Sequence, residues 1–313
     1  RSIYVFIIGA IIAIGFLSTR GLSSGIDFTG GRNYVIEFEQ KGVTPEQVQK
    51  AVAEKVNAKD PNATVSAIAI TTTSNEAVRL STNYRIADDN ENIDQEVERF
   101  IFDALHDAKL INADYQTFID RDNHTGGSII SAQKVGPTVA ADMVRGAVTA
   151  VLLALVAIFL YILVRFRNIA FSVGSVVALA FDTLLVIGVY SICWGWIGFS
   201  LEVDQTFIGA ILTVIGYSIN DKVVVFDRMR ENLQLHPTMK PFDLFNMSLN
   251  STLTRTVMTS LTTLLVLLCI FILGGDSIRS FAFAMILGVI FGTLSSIFLA
   301  APIAYRTLSR KEK

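Results

Sequence analysis

The chain has 313 residues, of which 51% are hydrophobic and only 17% charged, with a mean hydropathy of +0.50; an ordinary soluble domain carries roughly 25% charged residues. Residues 20–142 hold 19 acids and 12 bases, a balance of −7, while the rest of the chain carries +5. These figures exclude a single soluble domain, and the few scattered bases of the acidic block would neutralise too little phosphate charge for nucleic acid to be its partner.

A bilayer core needs roughly 20 apolar helical residues to cross it. Six stretches qualify, at about 2–19, 143–164, 169–192, 198–226, 252–273 and 279–304. The first follows Arg1 without a convincing small-residue cleavage site, so it is expected to be the first membrane helix of a chain whose natural start lies further upstream. The fourth and sixth exceed the required length, which implies tilt or extension into water, and Glu202 and Asp204 mark an end of the fourth that reaches water. The chain therefore divides into a membrane helix over 1–19, an inserted block over 20–142, and five further helices over 143–313.

The inserted block carries its own pattern. Asn33–Glu39 alternates as a strand, with Tyr34, Ile36 and Phe38 on one side. Thr44 followed by Pro45 starts a helix running to Val56. Strands are expected at Ala63–Thr72 and Ala77–Ile86, and a second helix at Asp89–Leu110, where Ile93, Val97, Ile101 and Leu105 recur every fourth residue. Tyr115–Ile119 and Ser128–Val135 are weaker strand candidates. The whole suits a small α+β domain with helices on one face of a sheet.

Lysine and arginine set the orientation. Arg165, Arg167, Arg228, Arg230, Lys240, Arg306, Arg310, Lys311 and Lys313 all fall on one side of a six-helix thread, together with Arg1, whereas the short loops 193–197 and 274–278 carry none. Both termini are expected in the cytoplasm, with the block 20–142 outside.

Ionisable residues inside spans are costly in hydrocarbon, and each is a functional candidate. Asp221 in the fourth span and Arg255 in the fifth each lie eight or nine residues from the span centre, roughly 12–14 Å towards the cytoplasm at 1.5 Å per residue; a fourth span starting after Asp204 would place Asp221 deeper. Thr206, Ala210, Thr213, Tyr217 and Asp221 share one helical face, with Gly209, Gly216 and Asn220 beside them. Thr252, Arg255, Thr256, Thr259, Thr262 and Thr263 form a hydroxyl stripe on the next helix. A carboxyl held between burial and a nearby guanidinium can gain and lose a proton as water access changes; a static buried ion pair, or two side chains snorkelling to the surface, is the structural alternative. Asp182, the deepest acid, is open to a plain reading as a protonated carboxyl bonded to a neighbouring helix. Lys222 projects about 100° from Asp221 and is expected to snorkel. Asp227, Arg228, Arg230 and Glu231 form an interfacial charge cluster, and Gly288 and Gly292 favour close helix packing.

Nothing in the sequence announces catalysis or a cofactor. The chain lacks HExxH, a phosphate-binding Walker loop and a serine nucleophile motif. His106, His124 and His236 have no metal-ligand spacing, and Cys193 and Cys269 are read as buried apolar thiols rather than a disulfide. Gly25–Gly31, GIDFTGG, lacks a lysine and no helix is expected to follow it, which favours a tight structural junction built on Gly25, Asp27, Gly30 and Gly31.

Four segments together, GIDFTGG at 25–31, Val135-Gly136-Pro137, IGYSINDKVVVFDRMREN at 215–232 and NSTLTRT at 250–256, resemble the SecF family, the smaller membrane subunits of bacterial SecD–SecF complexes. The resemblance covers essentially the whole chain. It implies an accessory role in protein export across the bacterial inner membrane, driven by the proton-motive force, beside a SecY-type channel and handling unfolded polypeptide. It also implies that the six helices are half of a resistance–nodulation–division-like core completed by SecD, either a separate subunit or a fused half. Asp221 and Arg255 match the family's intramembrane acid and base, and Asp182, Asn220 and Thr259 would accompany them. Two departures stand out: Lys222 occupies a position where a small polar residue is expected, and Phe181 one where a histidine often precedes the aspartate. A half of a proton-coupled small-molecule or lipid exporter is the competing reading, but it would require two large outer loops and a tandem repeat of the core.

Overall fold

The computed structural model describes residues 2–40, 42–71, 76–88, 92–122, 126–197, 199 and 201–311. Thr72, Asp89, His124, Arg1 and Lys313, named above, lie outside the described residues. In chain order the elements are α1 (Ser2–Arg20), α2 (Ile26–Thr29), β1 (Gly31–Glu37), α3 (Pro45–Lys59), β2 (Val65–Thr71), β3 (Glu76–Thr82), α4 (Ile93–Asp107), α5 (Tyr115–Ile119), β4 (Ser128–Val135), α6 (Pro137–Phe166), α7 (Ile169–Cys193), α8 (Gln205–Leu235), α9 (Pro241–Leu273), α10 (Asp276–Ser295) and α11 (Ala301–Lys311). A π-helical turn, Ser296–Ala300, joins the last two. The chain forms two compact units: a helical one built up to Ser23, over Ala147–Gly195 and from Thr206 onward, and an α+β one over Ser24–Gly146 and Trp196–Gln205.

The α+β unit is a four-stranded antiparallel sheet in the order β2-β3-β1-β4. Alternation along β1 buries Tyr34 and Ile36, with Phe38 just beyond. Against them pack Val48, Val52 and Val56 of α3 and Val97, Ile101 and Leu105 of α4. Burying each of these side chains contributes on the order of 1.5–3 kcal/mol. Thr44 closes a reciprocal capping box with Gln47 at the start of α3, satisfying two otherwise orphaned amides. Tyr115–Ile119 is a helical turn and not a strand. Asp114 accepts from the Thr117 amide at 3.1 Å, and this N-cap commits the chain to helix there while Phe118 enters the core.

Among the described residues six helices are long and apolar enough to cross a membrane. Their outward faces are apolar, Val5, Leu152, Val164 and Ile272 among them. The inward faces meet through small residues, which let backbones approach closely. A Cβ on Gly188 of α7 would sit 2.3 Å from that of Ala13 in α1, and one on Gly174 would lie 2.9 Å from the Ala300 carbonyl in the π turn. Gly288 and Gly292 of α10 receive Val214 and Ser218 of α8.

Two further expectations need correction. The fourth helix begins at Gln205, not near 198: Trp196–Gln205 belongs to the α+β unit, where Leu201 and Val203 are buried and Val203 bridges Ser24 in parallel. The apolar character of this segment serves that packing. Cys269 is exposed on α9 and Cys193 half-buried, so neither is a buried core thiol.

Candidate functional site

The polar centre of the helical unit lies where α7, α8 and α10 meet. Lys222 was expected to snorkel, but its side chain is 0% exposed and donates to Asp182 Oδ2 at 2.9 Å, to Ser295 Oγ at 3.0 Å and to Ser218 Oγ. An ammonium has three donors, and all three are taken. Asp182, 1% exposed, also accepts at Oδ2 from the hydroxyls of Ser218 and Ser295, each at 2.8 Å, while its Oδ1 is buried without a partner. Asp182, open in the sequence to a reading as a neutral carboxyl bonded to a neighbouring helix, lies at ion-pair distance from Lys222. Lys222 cannot reach the surface because it sits midway along a helix packed on two sides, and a matching anion lies within reach. Ser218 and Lys222 are four residues apart on one face, a spacing visible in the sequence, but their partners come from other helices.

Asp221 is also buried, 4% exposed, sixteen residues into the 31-residue α8. With the span beginning at Gln205 and crossing in roughly 20 residues, it sits about 9 Å from the span centre, deeper than the sequence estimate. Its carboxyl faces Ser260 of α9, within electrostatic reach of Lys222 and Arg255, and its Oδ2 has no hydrogen-bond partner. Ser260 continues to Thr293 of α10 at 2.6 Å. Arg255 is exposed on α9, and among the described residues no ion pair joins it to Asp221. Asn220 is exposed, and the Thr259 hydroxyl bonds back to its own helix at the Arg255 and Thr256 carbonyls. The Thr259 carbonyl accepts from the Tyr217 hydroxyl at 3.1 Å, which ties α8 to α9. The structure therefore brings Asp182, Lys222, Ser218 and Ser295 together, places Asp221 beside them, and leaves Arg255 and Asn220 on uncovered faces.

The glycine-rich segment has a different geometry. The Gly25 amide donates to the Val203 carbonyl at 2.9 Å, and Asp27 Oδ2 accepts from the Gln205 amide at 3.0 Å, capping the first residue of α8. One helical turn, α2, sits inside the motif, where no helix was expected. Gly30 and Gly31 have φ of 73° and 153°, values that side chains rarely allow, and a Cβ on Gly31 would lie 3.0 Å from both Ile26 and the Thr82 carbonyl. Among the described residues no group of acids, histidines or cysteines could hold a metal ion.

Residues 118–310 match the profile of the protein export membrane protein SecD/SecF, C-terminal family, and residues 15–41 match the SecD/SecF GG motif. The protein translocase subunit SecF of Rhodothermus marinus is 39% identical over 99% of this chain and 92% of its own length. The chain belongs to the SecD/SecF family.

Other similar relatives carry the same SecF name. The Haemophilus influenzae SecF is 35% identical over 96% of this chain and 82% of its own length. The crystal structure of SecDF from Thermus thermophilus, a translocon-associated membrane protein, superposes with a TM-score of 0.76 at 33% identity. That match covers 100% of this chain, which spans 38% of the solved chain's length. The protein is thus a multi-pass SecF subunit of the protein translocase and not an enzyme. This sets aside the small-molecule exporter reading.

Proposed function

We propose that this SecF-type chain uses the proton-motive force to promote the translocation and release of unfolded polypeptide at the outer face of the bacterial inner membrane. It does so paired with SecD and beside a SecY-type channel. Asp221 takes up and releases the proton, and Arg255 supplies the opposing charge. The observation that carries this reading is a buried carboxyl inside the fourth membrane helix with one oxygen unpartnered, open to protonation without loss of a protein hydrogen bond at that oxygen. A proton crossing the membrane releases about 2.3 kcal/mol per 100 mV, enough over successive protons to drive a conformational cycle.

The exposed Arg255 supports a SecD partner, since an arginine on an uncovered face of a membrane helix is costly until another polar surface meets it. The lysine and arginine distribution supports a cytoplasmic placement of both termini and an outer placement of the α+β unit. The deciding experiment is Asp221→Asn in inverted vesicles: the variant assembles, and export loses its sensitivity to the proton gradient. Undiminished sensitivity in an assembled variant defeats the proposal.

A further inference from the structure

The proton reading gives Lys222 no work, yet Lys222 is the most completely enclosed charge in the helical unit. We infer that the Asp182–Lys222 pair is a fixed internal anchor that sets the rotation of α8 and aims Asp221 at α9. Asp182 and Lys222 are then positioning residues, and Asp182 does not carry the proton. This inference rests on the reading of Asp221 as the proton carrier.

Three observations carry it. The first is saturation: each donor of the ammonium is occupied, one by Ser218 of its own helix and the others by acceptors from α7 and α10, so turning α8 would break contacts with two neighbouring helices at once. The second is direction. Consecutive helical residues project about 100° apart, so with Lys222 held between α7 and α10, Asp221 must face elsewhere, and it faces Ser260 of α9. The third is fit. Gly292 of α10 leaves only enough room for Ser218, since a Cβ there would lie 2.6 Å from the Ser218 hydroxyl that bonds Asp182. Glycine at that point lets α8 and α10 close on the pair.

The charges around the pair are few. α7 contributes Asp182, α8 contributes Asp221 and Lys222, α9 contributes the exposed Arg255, and α10 presents the hydroxyl of Ser295. Lys222 and Asp182 neutralise each other. Asp221 is left as the buried acid without an ion-pair partner among the described residues. Lys222 thus separates two neighbouring carboxyls by role.

Dicyclohexylcarbodiimide, which modifies protonated buried carboxyls, tests this directly in membranes at neutral pH with peptide mapping as the readout. Asp182 stays unmodified in the unsubstituted protein and becomes modified at least about tenfold more in Lys222→Met, where its counter-charge is gone. Modification of Asp182 in the unsubstituted protein overturns the inference, as does an unmodified Asp182 in an assembled Lys222→Met. Gradient-dependent export supplies the second arm. Asp182→Asn and Lys222→Met each leave one buried charge alone, and the double variant recovers about tenfold or more of what either single loses. If the singles fail to assemble, recovery of assembly in the double supports the pairing, and failure of the double overturns it. If the assembled double is as insensitive to the gradient as Asp221→Asn, Asp182 is a carrier and the inference fails. If Asp221→Asn itself keeps full gradient sensitivity, the functional proposal fails while the labelling of Asp182 still decides the anchor.

Discussion

Asp27 accepts a hydrogen bond from the backbone amide of Gln205 at 3.0 Å across 178 residues of sequence, so the glycine-rich motif caps the helix that carries Asp221. The Gly25 amide adds a second tie to the same approach segment, at Val203. A carboxylate at a helix start satisfies an orphan amide and complements the positive end of the helix dipole. Asp27→Ala removes both effects, at about 1 kcal/mol. The expected result is faster amide exchange at Gln205 and in the first turn of α8, with the interior of the helix unchanged. Hydrogen-exchange mass spectrometry on the full chain checks it, and unchanged protection of that turn would refute the capping role.

Gly31 imposes a sharper constraint. Its φ of 153° and the 3.0 Å approach of the Thr82 carbonyl leave no place for a side chain. Gly31→Ala is expected to destabilise the α+β unit by about 1–3 kcal/mol, through backbone strain and through spreading β1 from β3. At Gly42, also at positive φ, an added Cβ would meet nothing within 4 Å, so an alanine there pays only the conformational part. The two alanine variants should therefore differ in the urea midpoint for loss of the sheet, with Gly31→Ala the lower. Equal midpoints would show that the close contact carries no weight.

Much of this architecture was legible in the sequence. Hydropathy located six helices, and alternation and capping residues located most of the sheet and its two main helices. What escaped depended on partners that one segment cannot see. The apolar run before Gln205 looks like a membrane helix until Ser24 and Gly25 are known to pair with Val203. The aromatic and β-branched content of Tyr115–Ile119 reads as strand, and the segment is helical because Asp114 caps it through the Thr117 amide. Lys222 reads as a snorkelling residue when the apolar span is taken to end near 226, but α8 continues to Leu235 and places it midway along the helix. Its burial is intelligible only once Asp182 and Ser295 arrive from helices 40 and 73 residues away.

Acid should act on the α+β unit through Asp94. Burial opposes its charge, but hydrogen bonds from Lys134 and Arg32 outweigh this and hold its carboxyl below the usual range. A depressed folded value means that the stabilisation is present above the ordinary carboxylate range and is lost as pH falls through the lower folded value. Glu98 runs the other way: burial, chiefly, raises its carboxyl, so its contribution is present at low pH and lost as pH rises through the raised value. Glu98→Gln is therefore expected to stabilise the unit at neutral pH and to leave it unchanged in acid. Asp94→Asn should cost about 1–3 kcal/mol at neutral pH, because it removes the counter-charge of Arg32, which is 1% exposed, and nothing further in acid. Amide exchange of β1 and β3 across pH 3–7 measures both, and a neutral-pH loss in Glu98→Gln would contradict a raised Glu98 carboxyl.

Packing between α8 and α10 should be as exacting as the charges it encloses. A Cβ on Gly288 would fall 2.1 Å from Val214 Cγ2, and one on Gly292 would fall 2.6 Å from Ser218 Oγ. Ser218 cannot yield without leaving Asp182, so Gly292→Ala must push the helices apart or break a buried hydrogen bond. Overpacking of this kind costs about 1–3 kcal/mol. Gly15 of α1 provides the contrast: nothing lies within 4 Å of its would-be Cβ, and Gly15→Ala should be neutral or stabilising by up to about 1 kcal/mol through helix propensity. Thermal unfolding in detergent separates the two, with Gly292→Ala melting several degrees below Gly15→Ala. Shortening the neighbour, in Gly292→Ala with Ser218→Gly, relieves the clash but forfeits the hydroxyl between Lys222 and Asp182, so it should restore only part of the loss. Full restoration would mean that the serine contributes volume alone and not its bond to the buried pair.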